Sequence, residues 1–344
     1  MSAVFLDPKC PRPDNLCWPL TVGRRSTDPT WEVANGPRYD RLAHGYYASA
    51  DRPECVEQRI IDAAARLHGD PGRGVVTAWA GLRWCGARFL DGVAEHGVGE
   101  LPVEMNVSGS LLELPGTLIT KRSMAPSETR VVADLPVASV QRCLFDEIVR
   151  RSDLWAAVQA IDMAAAAELI SAWVFATYVG VCNSRTGAAL ARHAVSLAVD
   201  EARSPRETWM RLVWRLICGL APPLVNQPLY DLDGRLIGVP DLFDPVAGFA
   251  GEYQGAHHKA IVQHRNDVDR AELFRLHGIE IVEAVRGDSR EHAASRILQA
   301  RARAKFLLPA ERTWTLTPPR WIPKVETLDQ KLERLGLVNE LSRP

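Results

Sequence analysis

The chain has 344 residues, 47% of them hydrophobic and 24% charged, with 41 Lys+Arg against 42 Asp+Glu for a net charge of −1. That length suits about two domains, that composition excludes a disordered chain, and that balance excludes a uniformly basic coat for nucleic acid while leaving room for a local basic groove. The seven Cys are scattered without a C-x-x-C pair, which argues against a disulfide framework or zinc knuckle and for reduced thiols in a cytoplasmic protein. No stretch reaches the ~18 apolar residues of a membrane span, and the Pro- and charge-bearing start of the chain does not read as a signal peptide.

Residues 1–50 form a Pro-rich N-terminal arm in which the aromatic stretch Leu42–Ala48 predicts a wing-like strand. Residues 51–203 read as a mixed helical/β domain. Pro53 opens an amphipathic helix with Val56, Ile60, Ile61 and Ala64 at helical spacing, stopped at Gly69. A second helical run is expected over Val75–Cys85, and alternation predicts strands at Leu101–Val107, Thr117–Arg122 and Thr129–Ala133. Val140–Ala202 is helical and Ala-rich, broken at Asn183–Gly187.

The character changes at Ser204-Pro205-Arg206-Glu207, which has the N-cap, first-turn Pro and third-position Glu of a helix start. Beyond Gly219, the runs Val225–Tyr230 and Arg235–Phe243 flank the turn Asp231–Gly234, a hairpin signal. A strand Phe249–Gln254, a helix Asn266–His277 closed by Gly278, a strand Ile279–Val285 and a basic helix Ser289–Lys305 follow. Residues 204–310 therefore have the order α-β-β-β-α-β-α. Residues 311–344 form a C-terminal arm, punctuated by Pro and Trp and helical around Leu328–Leu337. The expected class is α+β.

Chemistry concentrates in residues 204–310. Asp241 lies late in one predicted strand and Glu252 in the middle of the next, so neighbouring strands can bring the two carboxylates together. Hard divalent cations such as Mg²⁺ or Mn²⁺ take one or two carboxylates, completed by water and phosphate. A charge inside the apolar run Phe249–Gln254 is costly unless paired or coordinating; its other reading is an edge-strand gatekeeper. Glu207 is either a third oxygen donor or the reciprocal partner of the Ser204 cap. Arg270 and Arg275, with Arg265 just ahead of their helix, either line a phosphate path or belong to a solvated face.

Asp241, then Glu252-Tyr253-Gln254 with Gly255-Ala256-His257-His258 behind, resembles the PD-(D/E)xK nuclease superfamily, within it the branch of very-short-patch-repair endonucleases. The Ser204-Pro205-x-Glu207 helix start, the element order, and the Arg265, Asp267, Asp269 and Arg270 run add to the resemblance, which covers residues 204–305. It implies a restriction-endonuclease-like domain that hydrolyses phosphodiester bonds in DNA, with Asp241, Glu252 and Glu207 holding Mg²⁺ or Mn²⁺. One position departs from the pattern: Gln254 stands where the superfamily usually carries Lys and this branch often Asp. Lys259 then becomes a candidate for the missing Lys role, or His257 or His258 for the general base. Alternatively the fold binds DNA or a protein partner without cutting. Arg41-Leu42-Ala43-His44-Gly45-Tyr46-Tyr47-Ala48 is similar to the wing segment of actinobacterial abortive-infection antitoxin-like proteins, and Thr77–Leu82 to their next helix. That similarity implies a transcriptional regulator with a cognate toxin-like protein as partner. The Pro-dense segment ahead of the wing contains no recognisable helix-turn-helix.

Overall fold

The computed structural model describes residues 9–23, 28–67, 70, 72–94, 99–254 and 271–341. The chain is α+β and forms two units, Met1–Asp200 with Thr327–Pro344, and Glu201–Glu326.

In the first unit, β1 (Leu20–Thr21) is followed by the short helix α1 (Trp31–Ala34), β2 (Tyr39–Ala43) and β3 (Tyr46–Ser49), and the strands pair antiparallel in the order β1-β3-β2. The single strand expected over Leu42–Ala48 is a hairpin, because Gly45 adopts φ 79° and turns the chain. Among the described residues, α1 is the only helix ahead of this hairpin. Helix α2 (Val56–Ala63) is capped by Cys55, whose Sγ accepts from the Gln58 amide.

The helix expected over Val75–Cys85 divides into β4 (Gly74–Val76) and α3 (Ala78–Trp84). The β-branched pair Val75–Val76 is fully buried between two strands, and that pairing outweighs the helical spacing. Next come β5 (Val103–Val107), β6 (Thr117–Thr120), β7 (Thr129–Val132) and β8 (Leu135–Ala138), making a five-stranded sheet of order β6-β5-β4-β8-β7. The β7–β8 hairpin went unseen in the sequence because its turn residues, Ala133 and Asp134, take positive φ (42° and 62°) without the usual Gly. The Ala-rich run forms α4 (Val140–Arg151), α5 (Leu154–Ala166), α6 (Ala172–Val181) and α7 (Ala188–Val195), with Asp153 and Ser171 capping the second and third.

The second unit starts with α8 (Pro205–Leu212) and a π-helical turn, Val213–Ile217. Its strands are β9 (Leu224–Val225), β10 (Leu229–Asp231), β11 (Leu236–Gly238), β12 (Leu242–Asp244) and β13 (Phe249–Gln254). Residues 271–276 are helical (α9), β14 (Glu280–Val285) runs parallel to β13, and α10 (Arg290–Arg303) and β15 (Trp314–Thr315) complete the unit. The two strands expected over 225–230 and 235–243 each split. Pro228 and Pro240 lack the N–H a ladder needs, and Asn226 takes φ 49°. The halves join different sheets, β11-β10-β15 and β14-β13-β12-β9. Leu229, Ile237, Phe243, Ala250, Phe274, Ile279 and Trp314 form one core. On the opposite face of β13, Trp214 stacks on Phe249 with ring centroids 4.9 Å apart.

The expected C-terminal arm divides between the units: β15 pairs with β10, whereas α11 (Leu328–Arg334) and α12 (Val338–Leu341) belong to the first unit. There Leu332 and Leu341 are buried, Lys331 pairs with Glu168, and Arg130 meets Glu340 at 2.8 Å. No described helix is long and apolar enough to cross a membrane, and all seven Cys are free thiols.

Candidate functional site

The pleat of β13 decides which side chains share a face. Phe249 stacks on Trp214, a Cβ on Gly251 would meet Met210 of α8, and Tyr253 lies edge-on to Trp209. Alternation therefore turns Ala250, Glu252 and Gln254 to the other side. The β12–β13 register pairs Leu242 with Gly251 and Phe243 with Ala250, so one more step sets Asp241 opposite Glu252.

That last rung is closed by a side chain. Behind Pro240 the chain bends, the Asp241 carbonyl accepts the Asn226 amide at 3.1 Å, and Asp241 Oδ2 accepts the Tyr253 amide at 2.7 Å. The Asp241 carboxylate is thereby fixed against β13 between the positions of Glu252 and Gln254. Glu252 is 9% exposed and Gln254 half-buried. Two carboxylates and an amide thus lie on neighbouring residues at one end of the β12–β13 pair.

Glu207 is held differently. Ser204 Oγ accepts its amide at 3.2 Å, and Glu207 Oε2 accepts the Arg203 amide and Asn226 Nδ2, both at 2.8 Å. Asn226 Nδ2 also donates to the Glu201 carbonyl at 2.9 Å. Glu207 thus meets Asp241 through Asn226. Among the described residues, no group of three or more His, Cys, Asp or Glu converges on a point where a metal would sit.

Arg275 of α9 is exposed and pairs with Glu272 at 3.3 Å, a solvated i,i+3 contact. His257, His258, Lys259, Arg265 and Arg270 lie outside the described residues. Sequence reasoning missed Asn226, whose only signal is an Asn just ahead of Gln227-Pro228, a residue type that tolerates positive φ. It also missed Arg211, a buried cation on α8, and Arg206, whose guanidinium lies 5.9 Å from the Tyr253 ring centre.

The first unit holds its own buried charge network. Arg142 donates to Asp146 and Glu128 at 3.0 and 3.1 Å, Thr77 Oγ donates to Asp146 at 2.7 Å, and Tyr178 donates to Glu128 at 2.6 Å. Glu147 accepts from the Trp79 amide, Arg150 and Arg151. Glu104 is fully buried; Oε1 meets Arg122 and Oε2 has no hydrogen-bond partner. Burial pushes its carboxyl up to about 7, opposed by Arg122 and reinforced by Asp146. These groups tie α3 and α4 to the five-stranded sheet.

Comparison with protein families, with curated proteins and with solved structures finds no match.

Proposed function

We propose that the second unit is a metal-dependent DNA endonuclease-like module of the PD-(D/E)xK type, akin to the very-short-patch-repair branch, hydrolysing phosphodiester bonds. One observation carries the reading: Asp241 Oδ2 accepts the Tyr253 amide at 2.7 Å, beside Glu252 in the sequence, and the β12–β13 register continued one step past Leu242–Gly251 brings positions 241 and 252 opposite each other. The four-stranded sheet behind α8, with α9 in the connection to the parallel strand β14, supports it.

The donor set fits Mg²⁺ or Mn²⁺ with two protein carboxylates, the remaining positions being filled by water and substrate phosphate. When bound, such a cation lowers the pKa of its water and neutralises phosphate charge. Asp241 and Glu252 would hold it, Asp241 kept in place by the Tyr253 amide. Gln254 orients a water or a phosphate oxygen by hydrogen bonding but supplies none of the charge a Lys would bring to the transition state. Lys259, His257 and His258 are the remaining candidates for water positioning and proton abstraction, and Arg265, Arg270 and Arg275 for the phosphate path.

The test is nicking of supercoiled plasmid by the full chain in Mg²⁺ or Mn²⁺, against EDTA and Glu252→Ala. The reading expects metal-dependent nicking that Glu252→Ala abolishes; equal nicking by both proteins, or by neither, sinks it. Gln254 favours a second reading, a silent nuclease-fold module that binds DNA or a toxin-like partner in an antitoxin-like regulator. Binding that persists in EDTA and in Asp241→Ala would select that reading.

A further inference from the structure

We infer that Glu207 and Asn226 form a positioning pair that sets the place of Asp241, with Glu207 acting through hydrogen bonds and not as a metal ligand. This inference rests on the reading of Asp241 and Glu252 as the metal-holding pair. Past the main-chain bond from the Asn226 amide to the Asp241 carbonyl, the corner where β9 and β12 end cannot continue as an ordinary ladder. Pro228 follows the first strand and Pro240 precedes the second, and each removes a main-chain donor.

Side chains replace what the ladder lacks. Asn226 sits at φ 49°, a conformation unfavourable for an L-residue though least so for Asn and Asp among those with side chains. It is kept there by the two bonds of its Nδ2, to Glu207 Oε2 at 2.8 Å and to the Glu201 carbonyl at 2.9 Å. In that conformation its own amide reaches the Asp241 carbonyl at 3.1 Å, and the Asp241 carboxylate in turn meets the Tyr253 amide at 2.7 Å. The path therefore runs from the capped start of α8, through Glu207 and Asn226, to the carboxylate beside Glu252. Glu207 Oε2 receives two N–H groups, from Arg203 and Asn226. Accepting them requires an oxygen, not a charge. A carboxamide at position 207 keeps such an oxygen, whereas a metal ligand at that position needs the carboxylate.

The test is Mn²⁺ titration of the full chain by calorimetry, with circular dichroism and thermal melting to check folding, on the wild type, Glu252→Ala, Glu207→Gln, Glu207→Ala and Asn226→Gly. Glycine keeps the positive φ at position 226 without strain, so any loss there belongs to the amide side chain. Wild type is expected to bind Mn²⁺ and Glu252→Ala to lose it. Glu207→Gln stays within about threefold of wild type, whereas Glu207→Ala and Asn226→Gly weaken binding by about tenfold or more, the usual effect of removing a group that orients a ligand. Glu207→Gln falling as far as Glu252→Ala would make Glu207 a ligand and overturn the inference. Asn226→Gly binding as tightly as wild type would overturn it as well, and should Glu207→Ala not fold, these two variants still decide. A wild type that binds no Mn²⁺ removes the metal-centre reading and this inference with it; a wild type that binds while Asn226→Gly is unaffected removes the inference alone.

Discussion

Glu104 shows how a single buried carboxyl can make the first unit respond to pH. Its carboxyl rises to about 7 in the fold, from an ordinary 4.5, so the folded protein binds a proton there that the unfolded chain releases. Stability from this group is complete below about pH 4.5 and is lost as pH rises through 7. Glu104→Gln removes the ionisation and with it this dependence. The melting temperature of the variant relative to wild type is expected to be higher at pH 8 than at pH 5, by about 2–4 °C for each kcal/mol recovered. The same difference at both pH values would show that Glu104 does not titrate in this range. The pairing of the strand that follows Asp241 with the strand that carries Glu252 was legible in the sequence because a turn separates two apolar runs. Asn226 was not, because its role lies in contacts with Glu201, Glu207 and Asp241, up to 25 residues away in the chain.

At the scale of elements, close approach between helices is as decisive as strand pairing. Helix α3 packs on α4 at Gly81, where a Cβ would lie 2.4 Å from Cys143 Sγ, with the Val76 carbonyl and Val137 also close. Gly81→Ala is expected to destabilise the protein by about 1–3 kcal/mol, the cost of overpacking a filled core. Gly81→Ala combined with Cys143→Ala should recover part of that loss in chemical denaturation. A fully additive double variant would contradict the contact. The helices and most strands were legible from periodicity and caps, as at Ser204-Pro205. The exceptions share a cause: local pattern yielded to pairing. Val75–Val76 joined a sheet despite helical spacing, Ala133–Asp134 turned a hairpin without Gly, and Pro228 and Pro240 sent the halves of two apolar runs into separate sheets.

For the whole molecule, charge is the constraint that bears on function. A net charge of −1 gives little general attraction to DNA, so under the proposed function the affinity would have to come from a local set of phosphate contacts. Non-specific duplex binding is therefore expected to be weak, with a plot of log affinity against log salt shallow for a nucleic-acid enzyme, near −0.9 per phosphate neutralised. Removing one contributing Arg, as in Arg275→Ala, should reduce that slope by about one if Arg275 meets phosphate; an unchanged slope leaves it on the solvated face where Glu272 holds it. The chain order adds a second feature, since the unit carrying the acidic pair is inserted between the two segments of the other. The central claim is that Asp241 and Glu252 together hold one divalent cation. Anomalous scattering from a Mn²⁺-soaked crystal of the full chain tests it most directly. The account predicts a single peak bridging the two carboxylates, with Glu207 still bonded to Asn226 and outside the coordination shell. No peak at that pair, or a peak ligated by Glu207, would contradict it.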